Sequence, residues 1–360
     1  MSYILPVGPY HPALEEPIHA RIIADGEIIK DAEVFFGYNH RGIEKIATER
    51  NVIQTMVLVE RVCGICSHSH ATTYAMAVEA LNGVTVPKRA EYIRVITSEL
   101  ERIHSHLLWL GIACHIIGHD SLFMHIWDDR EVVMDILEEL SGNRVNYGIN
   151  TYGGVRRDIN DDMKRDILKG LEKLKALTDR IVSIVSSDIT VGMRTKGIGV
   201  LKKEDAIRIG AVGPHARASG VDMDLRRDLP YCSYEDFNFT VPVVESGDVY
   251  ARLVVRALEC YESINIIVQA LNKLPDGPIN LGNKLPKINE GSILQAYEAP
   301  RGMLTHLVVG DGKLENKLVS IHVPSYRNNP TIPHMLRGNN VSDAGLIIAS
   351  IDPCFSCTDR

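Results

Sequence analysis

Two Cys-x-x-Cys pairs stand at opposite ends of this chain, Cys63-Gly-Ile-Cys66 and Cys354-Phe-Ser-Cys357, with Cys354 288 positions after Cys66. A zinc finger or ribbon places its two pairs about 12 to 20 residues apart, so no local metal knuckle accounts for this spacing. If the four thiolates share one metal centre, the fold itself has to close the site by bringing the ends of the chain together. Thiolates are soft ligands that suit zinc, copper(I), iron-sulfur clusters or, in a bridged arrangement, nickel with iron, and softness alone does not choose among these. Seven cysteines, an odd number, fit a reducing compartment better than a disulfide framework. Cys114, Cys232 and Cys260 have no such pattern and read as small buried hydrophobes.

The rest of the composition excludes more than it identifies. A chain of 360 residues can bury a large interior, and no internal repeat, low-complexity segment or linker divides it. One unit spanning 1–360 is expected. The net charge of −7, without a cluster of basic residues, argues against a nucleic-acid binder. The longest apolar stretch, Leu107 to Ile117, is interrupted by Cys114 and His115 and falls short of the ~20 residues of a membrane span. The N-terminus has no basic region followed by an apolar core, so no signal peptide is visible.

Local pattern gives the elements. Ile18 to Ala24 and Glu27 to Val34 flank Asp25-Gly26, a two-residue turn suited to a hairpin. Ile93, Ile96, Leu100, Ile103, Leu107, Leu110, Cys114 and Ile117 alternate steps of three and four, predicting one long helix from Lys88 to Ile117 with Pro87 at its start. Met163 to Ile181 and Tyr250 to Leu271 repeat that periodicity and, with Arg130 to Leu140, should complete an antiparallel bundle. Leu304 to Val309 and Lys317 to Val323, around Asp311-Gly312, predict a second hairpin. Pro353 disfavours helix at Asp352, so a short helix over 342–351 should stop just before the last two cysteines. The expected class is α+β, mainly α with peripheral β: a central antiparallel helix bundle with β-hairpins near both ends. Its parts are an N-terminal β region (1–50), the first bundle helices (51–189), an irregular or β insertion (190–247), a further bundle helix (248–275), and a C-terminal hairpin with the ligand segment (276–360).

With their neighbours included, both pairs resemble the ligand motifs of the large subunit of nickel-iron hydrogenases. The first has His70 four residues after Cys66, and the second is similar to the family's C-terminal Asp-Pro-Cys-x-x-Cys motif, here Asp352 to Cys357. The resemblance continues through Arg41-Gly-Ile-Glu44, Gly213-Pro-His-Ala-Arg-Ala-Ser-Gly220, Ala299-Pro-Arg-Gly302 and Val323-Pro-Ser325, in the family's order and over nearly the whole chain. Trp109-Leu-Gly111 and Gly153-Gly-Val-Arg-Arg-Asp158 resemble the group that also gave rise to the quinone-site subunit of respiratory complex I. This points to the membrane-associated, energy-converting hydrogenases, with the Ech type the closest likeness.

What the resemblance implies is specific. Cleaving or making dihydrogen needs a metal that can hold a hydride and a base close enough to take the proton. Cys63 and Cys354 would be terminal nickel ligands, while Cys66 and Cys357 would bridge nickel to an iron carrying carbonyl and cyanide. Arg301 would aim its planar fork of donors at those polar ligands. Ser325 resembles the family's donor to a cyanide, and His70 would donate to a thiolate sulfur from outside the ligand set. Glu15 and Glu16 lie where the family places a proton-relaying glutamate, and counting back from the Asp25-Gly26 turn favours Glu15. Glu44 resembles the carboxylate that binds a hard cation, such as magnesium, near the C-terminus in many relatives. The chain carries Arg360 where those relatives commonly have His, so a Glu44 to Arg360 ion pair is the alternative. His104, His106, His115, His119 and His125 make a run that reads as packing, capping or subunit contact.

No further cysteine set is present for an iron-sulfur cluster, so partners have to carry the electrons. The resemblance implies a small subunit with an iron-sulfur cluster, a ferredoxin-like subunit, integral membrane subunits that translocate ions, and ferredoxin as electron donor. The chain itself would then sit on the cytoplasmic face of the membrane, held there by those partners. Arg360 lies three residues after Cys357, where many such subunits are cut during maturation, so the sequence looks like the mature form. Two other readings stay open. A complex I-like quinone-site subunit would have much the same fold but lacks the four thiolates, and a structural zinc protein would keep the thiolates without iron.

Overall fold

A computed structural model describes residues 2–10, 16–282 and 285–360. The chain opens with an antiparallel sheet, β1 (Ser2–Val7), β2 (His19–Asp25) and β3 (Ile28–Phe35), in the order β1-β2-β3. Asp25-Gly26 makes the turn as the sequence predicts, with Gly26 at φ 60°, an angle that glycine adopts without strain. Ile18, Ala20, Ile22 and Ala24 are all fully buried, the alternation of a sheet with one wet face.

The predicted long helix runs from Lys88 to Ile117, with Pro87 at its N-cap and Gly118 at φ 95° ending it. Its 30 residues span about 45 Å at ~1.5 Å each. The Asp120–Ser141 and Val249–Asn272 helices pack on it, and the Asp161–Ser187 helix packs on both of those. The apolar stripe is only part of what it buries. Glu99, Glu101, Arg102, His104 and His106 are also out of water, so this helix carries buried polar groups through the centre of the molecule.

Residues 190–247 are irregular between short elements, as expected, but the β alternative is not realised. Among the described residues there is no strand in this span, which instead carries short helices at Lys203–Ile209, Gly213–Arg217 and Leu225–Asp228. The glycines and prolines here separate helices of four to seven residues. Asp224 caps the last of these through its carboxylate, which accepts from the Arg226 N–H at 2.9 Å.

A short pair, β4 (Asn150–Thr151) and β5 (Gly154–Val155), precedes the third sheet, formed by β6 (Gly291–Ala299), β7 (Gly302–Gly310) and β8 (Leu318–His322). The sequence predicts β7 and β8 but not β6. Ala299 pairs with Gly302, so Pro300 and Arg301 form the tight β6–β7 turn. The predicted terminal helix is observed as Ala344–Ser350, stopping before Pro353. The four motif cysteines belong to the main core, whereas Phe355 packs in a second core under the N-terminal sheet. The C-terminal segment thus sits at the seam of the two. No helix among the described residues is long and apolar enough to cross a membrane.

Candidate metal centre

The two cysteine pairs meet. Cys63 follows the Val52–Glu60 helix, Cys66 is the N-cap of the Ser67–Leu81 helix, and Cys354 is the N-cap of the Phe355–Asp359 helix. Each pair is therefore delivered at the start of a helix. The N–H of Ile65 donates to Cys63 Sγ and that of Cys357 to Cys354 Sγ, both at 3.3 Å.

Across the site the sulfurs pair one from each motif. Cys63 Sγ lies 3.5 Å from Cys354 Sγ, and Cys66 Sγ lies 3.4 Å from Cys357 Sγ. Cys63, Cys66 and Cys357 are mutually within 4.8 Å, close enough for one metal. All four are buried and none is in a disulfide. Hydrogen bonds from the Cys354, Cys357 and Cys66 thiols lower the pKa of Cys63 well below the usual thiol range, while contacts with Cys354, Cys63 and Cys66 push that of Cys357 up.

Arg301 projects from the β6–β7 turn into this interior and is 5 % exposed. Its Nε donates to the Asp352 carbonyl at 2.8 Å, Nη1 donates to Ser105 Oγ at 3.3 Å, and Nη2 forms an ion pair with Asp352 Oδ1 at 2.5 Å. Burial works against its charge, but Asp352 and the nearby sulfurs of Cys354, Cys63 and Cys66 outweigh burial and keep it protonated. Ser325 Oγ accepts from the Cys354 N–H at 3.0 Å, which leaves its own hydrogen free to donate. His70 Nε2 is 3.6 Å from Cys357 Sγ, and burial lowers the ring's pKa to about 4.

Glu15 lies outside the described residues. Glu16 is at the site: Oε2 accepts from the N–H groups of Phe355 and, at 3.0 Å, Ser356, and Oε1 is 4.0 Å from Cys354 Sγ. Burial raises its pKa, against the lowering effect of the Ser356 N–H. Glu44 Oε1 accepts from Ile321 N–H at 2.6 Å and is 3.2 Å from Arg360 Nε, so this carboxylate stands in an ion pair with Arg360.

Three further residues organise the site through partners that no local sequence pattern reveals. Arg41 donates to the carbonyls of Arg61 (2.8 Å), Val62 (2.9 Å) and Ser356 (2.6 Å), tying together the two segments that carry the cysteines. Glu101, from the long helix, caps the Ser67–Leu81 helix by accepting from the His68 and Ser69 N–H groups at 2.7 and 3.0 Å. Burial pushes Glu101 up to about 8 despite those bonds. Asp352, at φ 57°, turns the chain so that its carbonyl meets Arg301. Motif membership marked Arg41 and Asp352 as notable, but nothing local to Glu101 signals its partner on another helix. Three of the run's histidines make packing, capping or surface contacts. His106 bonds Glu259 at 2.8 Å, His119 accepts from Leu122 N–H, and His115 pairs with Asp120 at the surface.

Comparison with known proteins places this geometry in a family. The family model for nickel-dependent hydrogenase matches residues 41–112, and that for the respiratory-chain NADH dehydrogenase 49 kDa subunit matches 117–287 and 281–360. The chain is 45 % identical over 374 residues to membrane-bound hydrogenase subunit alpha of Pyrococcus furiosus, covering 99 % of this chain and 87 % of that one. It is 42 % identical over 360 residues to the carbon monoxide-induced hydrogenase of Rhodospirillum rubrum, covering 100 % and 99 %. A chain in the solved structure of the membrane-bound sulfane sulfur reductase, an archaeal respiratory membrane complex, superposes with a TM-score of 0.95 at 32 % identity, covering 100 % and 98 %. On sequence and fold together, the chain belongs to the family that unites nickel-iron hydrogenase large subunits with the 49 kDa subunit of respiratory NADH dehydrogenase.

Proposed function

We propose that this chain is the catalytic subunit of a nickel-iron hydrogenase of the energy-converting, Ech-like kind, reducing protons to dihydrogen and running the reverse reaction. The observation that carries the proposal is the pairing of four buried sulfurs, Cys63 with Cys354 and Cys66 with Cys357, beside Arg301. The donors fit a nickel centre: they are soft and shielded from water. Cys63 and Cys354 would be terminal ligands to nickel, and Cys66 and Cys357 would be shared with an iron bearing carbonyl and cyanide. Such a centre supplies the heterolytic splitting and formation of dihydrogen.

The chain's own residues do the rest. Arg301, anchored by Asp352 and Ser105, keeps a positive charge against the sulfur cluster in a dry interior, where fixed charges act strongly. The Ser325 hydroxyl is poised to donate to a second polar ligand. The Cys354 sulfur is suited to hold a proton first, and Glu16 Oε1, 4.0 Å away, is suited to take it next. Electrons would arrive from ferredoxin through a ferredoxin-like subunit and a small subunit with an iron-sulfur cluster, with membrane subunits moving ions. Relatives that are subunits of membrane complexes support this assembly.

A quinone-site reading leaves the four converging sulfurs without a task, and a structural zinc reading leaves Arg301 and Glu16 without one. The fold does not decide, because the sulfane sulfur reductase shares it. The deciding assay is isotope exchange between dideuterium and water protons by the anaerobically purified complex, with sulfane sulfur and quinone as alternative substrates. Exchange is expected. Sulfur or quinone reduction without any exchange would overturn the reading.

A further inference from the structure

Behind the sulfur cluster the Ser67–Leu81 helix and β7 bring two imidazoles into contact. His70, in the first turn of the helix, has Nε2 3.6 Å from Cys357 Sγ and Nδ1 3.2 Å from His306 Nε2. His306 lies on β7, the strand that begins directly after Arg301, and both histidines are buried. Their ring centroids are 5.4 Å apart with the planes tilted by 42°. The remaining nitrogen, His306 Nδ1, is buried and meets no hydrogen-bond partner.

Counting hydrogens fixes where each one sits. A metal-bound thiolate only accepts, so a hydrogen bond between His70 and Cys357 needs the hydrogen on His70 Nε2. Complete burial favours the neutral form of both rings, and a neutral imidazole carries one N–H. His70 Nδ1 is then a bare lone pair, and a partner at 3.2 Å has to be a donor. That donor is His306 Nε2–H. The hydrogen-free nitrogen left over is His306 Nδ1, the one nitrogen of the four that faces no partner. With this assignment no buried N–H in the pair is left unsatisfied.

We propose that His306 is a positioning residue that locks His70 in its Nε2–H tautomer and so holds one N–H on the Cys357 sulfur. The proposal rests on reading Cys357 as a metal-bound thiolate. Such a bond draws electron density away from the sulfur and hence from the metals it bridges, as partners of this kind do for other ligands. Without the His306 donor nothing on the Nδ1 side holds the His70 ring in register, and its bond to the sulfur weakens.

Infrared spectroscopy of the anaerobically purified complex tests this, with the wild-type chain, His306→Gln, His306→Leu, His70→Leu and the His70→Leu/His306→Leu double variant. Glutamine keeps an N–H donor near the position of Nε2, whereas leucine has none. The carbonyl and cyanide bands are expected to keep their wild-type positions in His306→Gln and to move to lower frequency in His306→Leu. In the His70→Leu background His306→Leu should add no further shift, because its effect passes through His70. Unmoved bands in a nickel-replete His306→Leu, a glutamine shift equal to the leucine shift, or additive shifts in the double variant would each overturn the proposal. If His306→Leu fails to load nickel, His306→Gln decides: wild-type bands support the proposal and shifted bands overturn it. A wild-type complex with nickel-free sulfurs and no diatomic bands is a separate outcome that removes the hydrogenase reading, and this proposal with it.

Discussion

Cys63 and Cys354 reach 3.5 Å from opposite ends of the chain, and each is held by its own segment's backbone rather than by the other. Serine in either place preserves shape while replacing a soft donor with a hard one. Cys63→Ser and Cys354→Ser are therefore expected to lose nickel and at least about 100-fold in hydrogen turnover, by an analogy with ligand-shell losses, with little change in fold by circular dichroism. Normal turnover with full nickel would contradict the ligand assignment. Glu16 separates proton movement from metal holding. Glu16→Gln removes the titrating group while keeping its size, and turnover should fall about 100-fold or more with nickel and infrared bands retained. Glu15→Gln is expected to be mild because Glu16 is the carboxylate beside Cys354, and the opposite ranking would move the relay by one residue. The cysteines, Arg301, Ser325 and His70 were legible because each lies in a short motif. The sequence ranks Glu16 behind Glu15 because the Glu16 contacts are to Phe355 and Ser356, more than three hundred positions away. Glu101, 33 positions from His68, and His306, 236 positions from His70, are hidden by their distant partners in the same way.

Elements were legible where their pattern is local. The Lys88–Ile117 helix matched its periodicity at both ends, and the two Asp-Gly turns fell where they were expected. β6 was missed because its pattern toward solvent is weak and its pairing with β7 is set by the turn at Pro300-Arg301. That turn is held by a backbone crossing. A Cβ on Gly302, at φ 123°, would lie 2.7 Å from Gly213 N, and one on Gly213 would lie 2.5 Å from the Arg301 carbonyl oxygen. Gly302→Ala should thus cost about 1–3 kcal/mol from its backbone angle alone, and the crowding would displace Arg301, so activity and stability fall together. Arg301→Lys should instead lower turnover about 100-fold with a smaller change in unfolding, because the charge stays and the planar fork is lost. Equal stability losses in the two variants would argue that Arg301 is a packing residue.

At the scale of the whole molecule, a buried ion cluster joins the long helix to the 190–247 region and to β6. Glu99, Arg226, Asp224, Arg217, Glu298 and Glu259 are each 1 % exposed or less and linked in series, with Arg217 2.9 Å from Glu298 and 2.8 Å from Glu259. Burial alone would raise Asp224, but Arg226 and Arg217 outweigh it and hold the group at about 2. Glu259 is likewise held well below the usual range, against its burial, chiefly by Arg217. Because these folded-state values lie below the ~4 of an unfolded carboxylate, their stabilisation is present above pH ~4 and lost as pH falls through the folded values. Glu259→Gln leaves Arg217 short of a partner and should cost about 3–5 kcal/mol near neutrality, with the gap to wild type in urea unfolding narrowing below pH ~4. A gap that widened on acidification would contradict the charged state assigned to Glu259.

The central claim is that the four sulfurs hold nickel and a diatomic-bearing iron, and one measurement addresses it directly: metal content and infrared spectra of the same anaerobically purified complex. The account predicts nickel in the preparation together with carbonyl and cyanide stretches, both lost in Cys63→Ser. Zinc in place of nickel, or an intact complex with no stretches from either ligand, would contradict it.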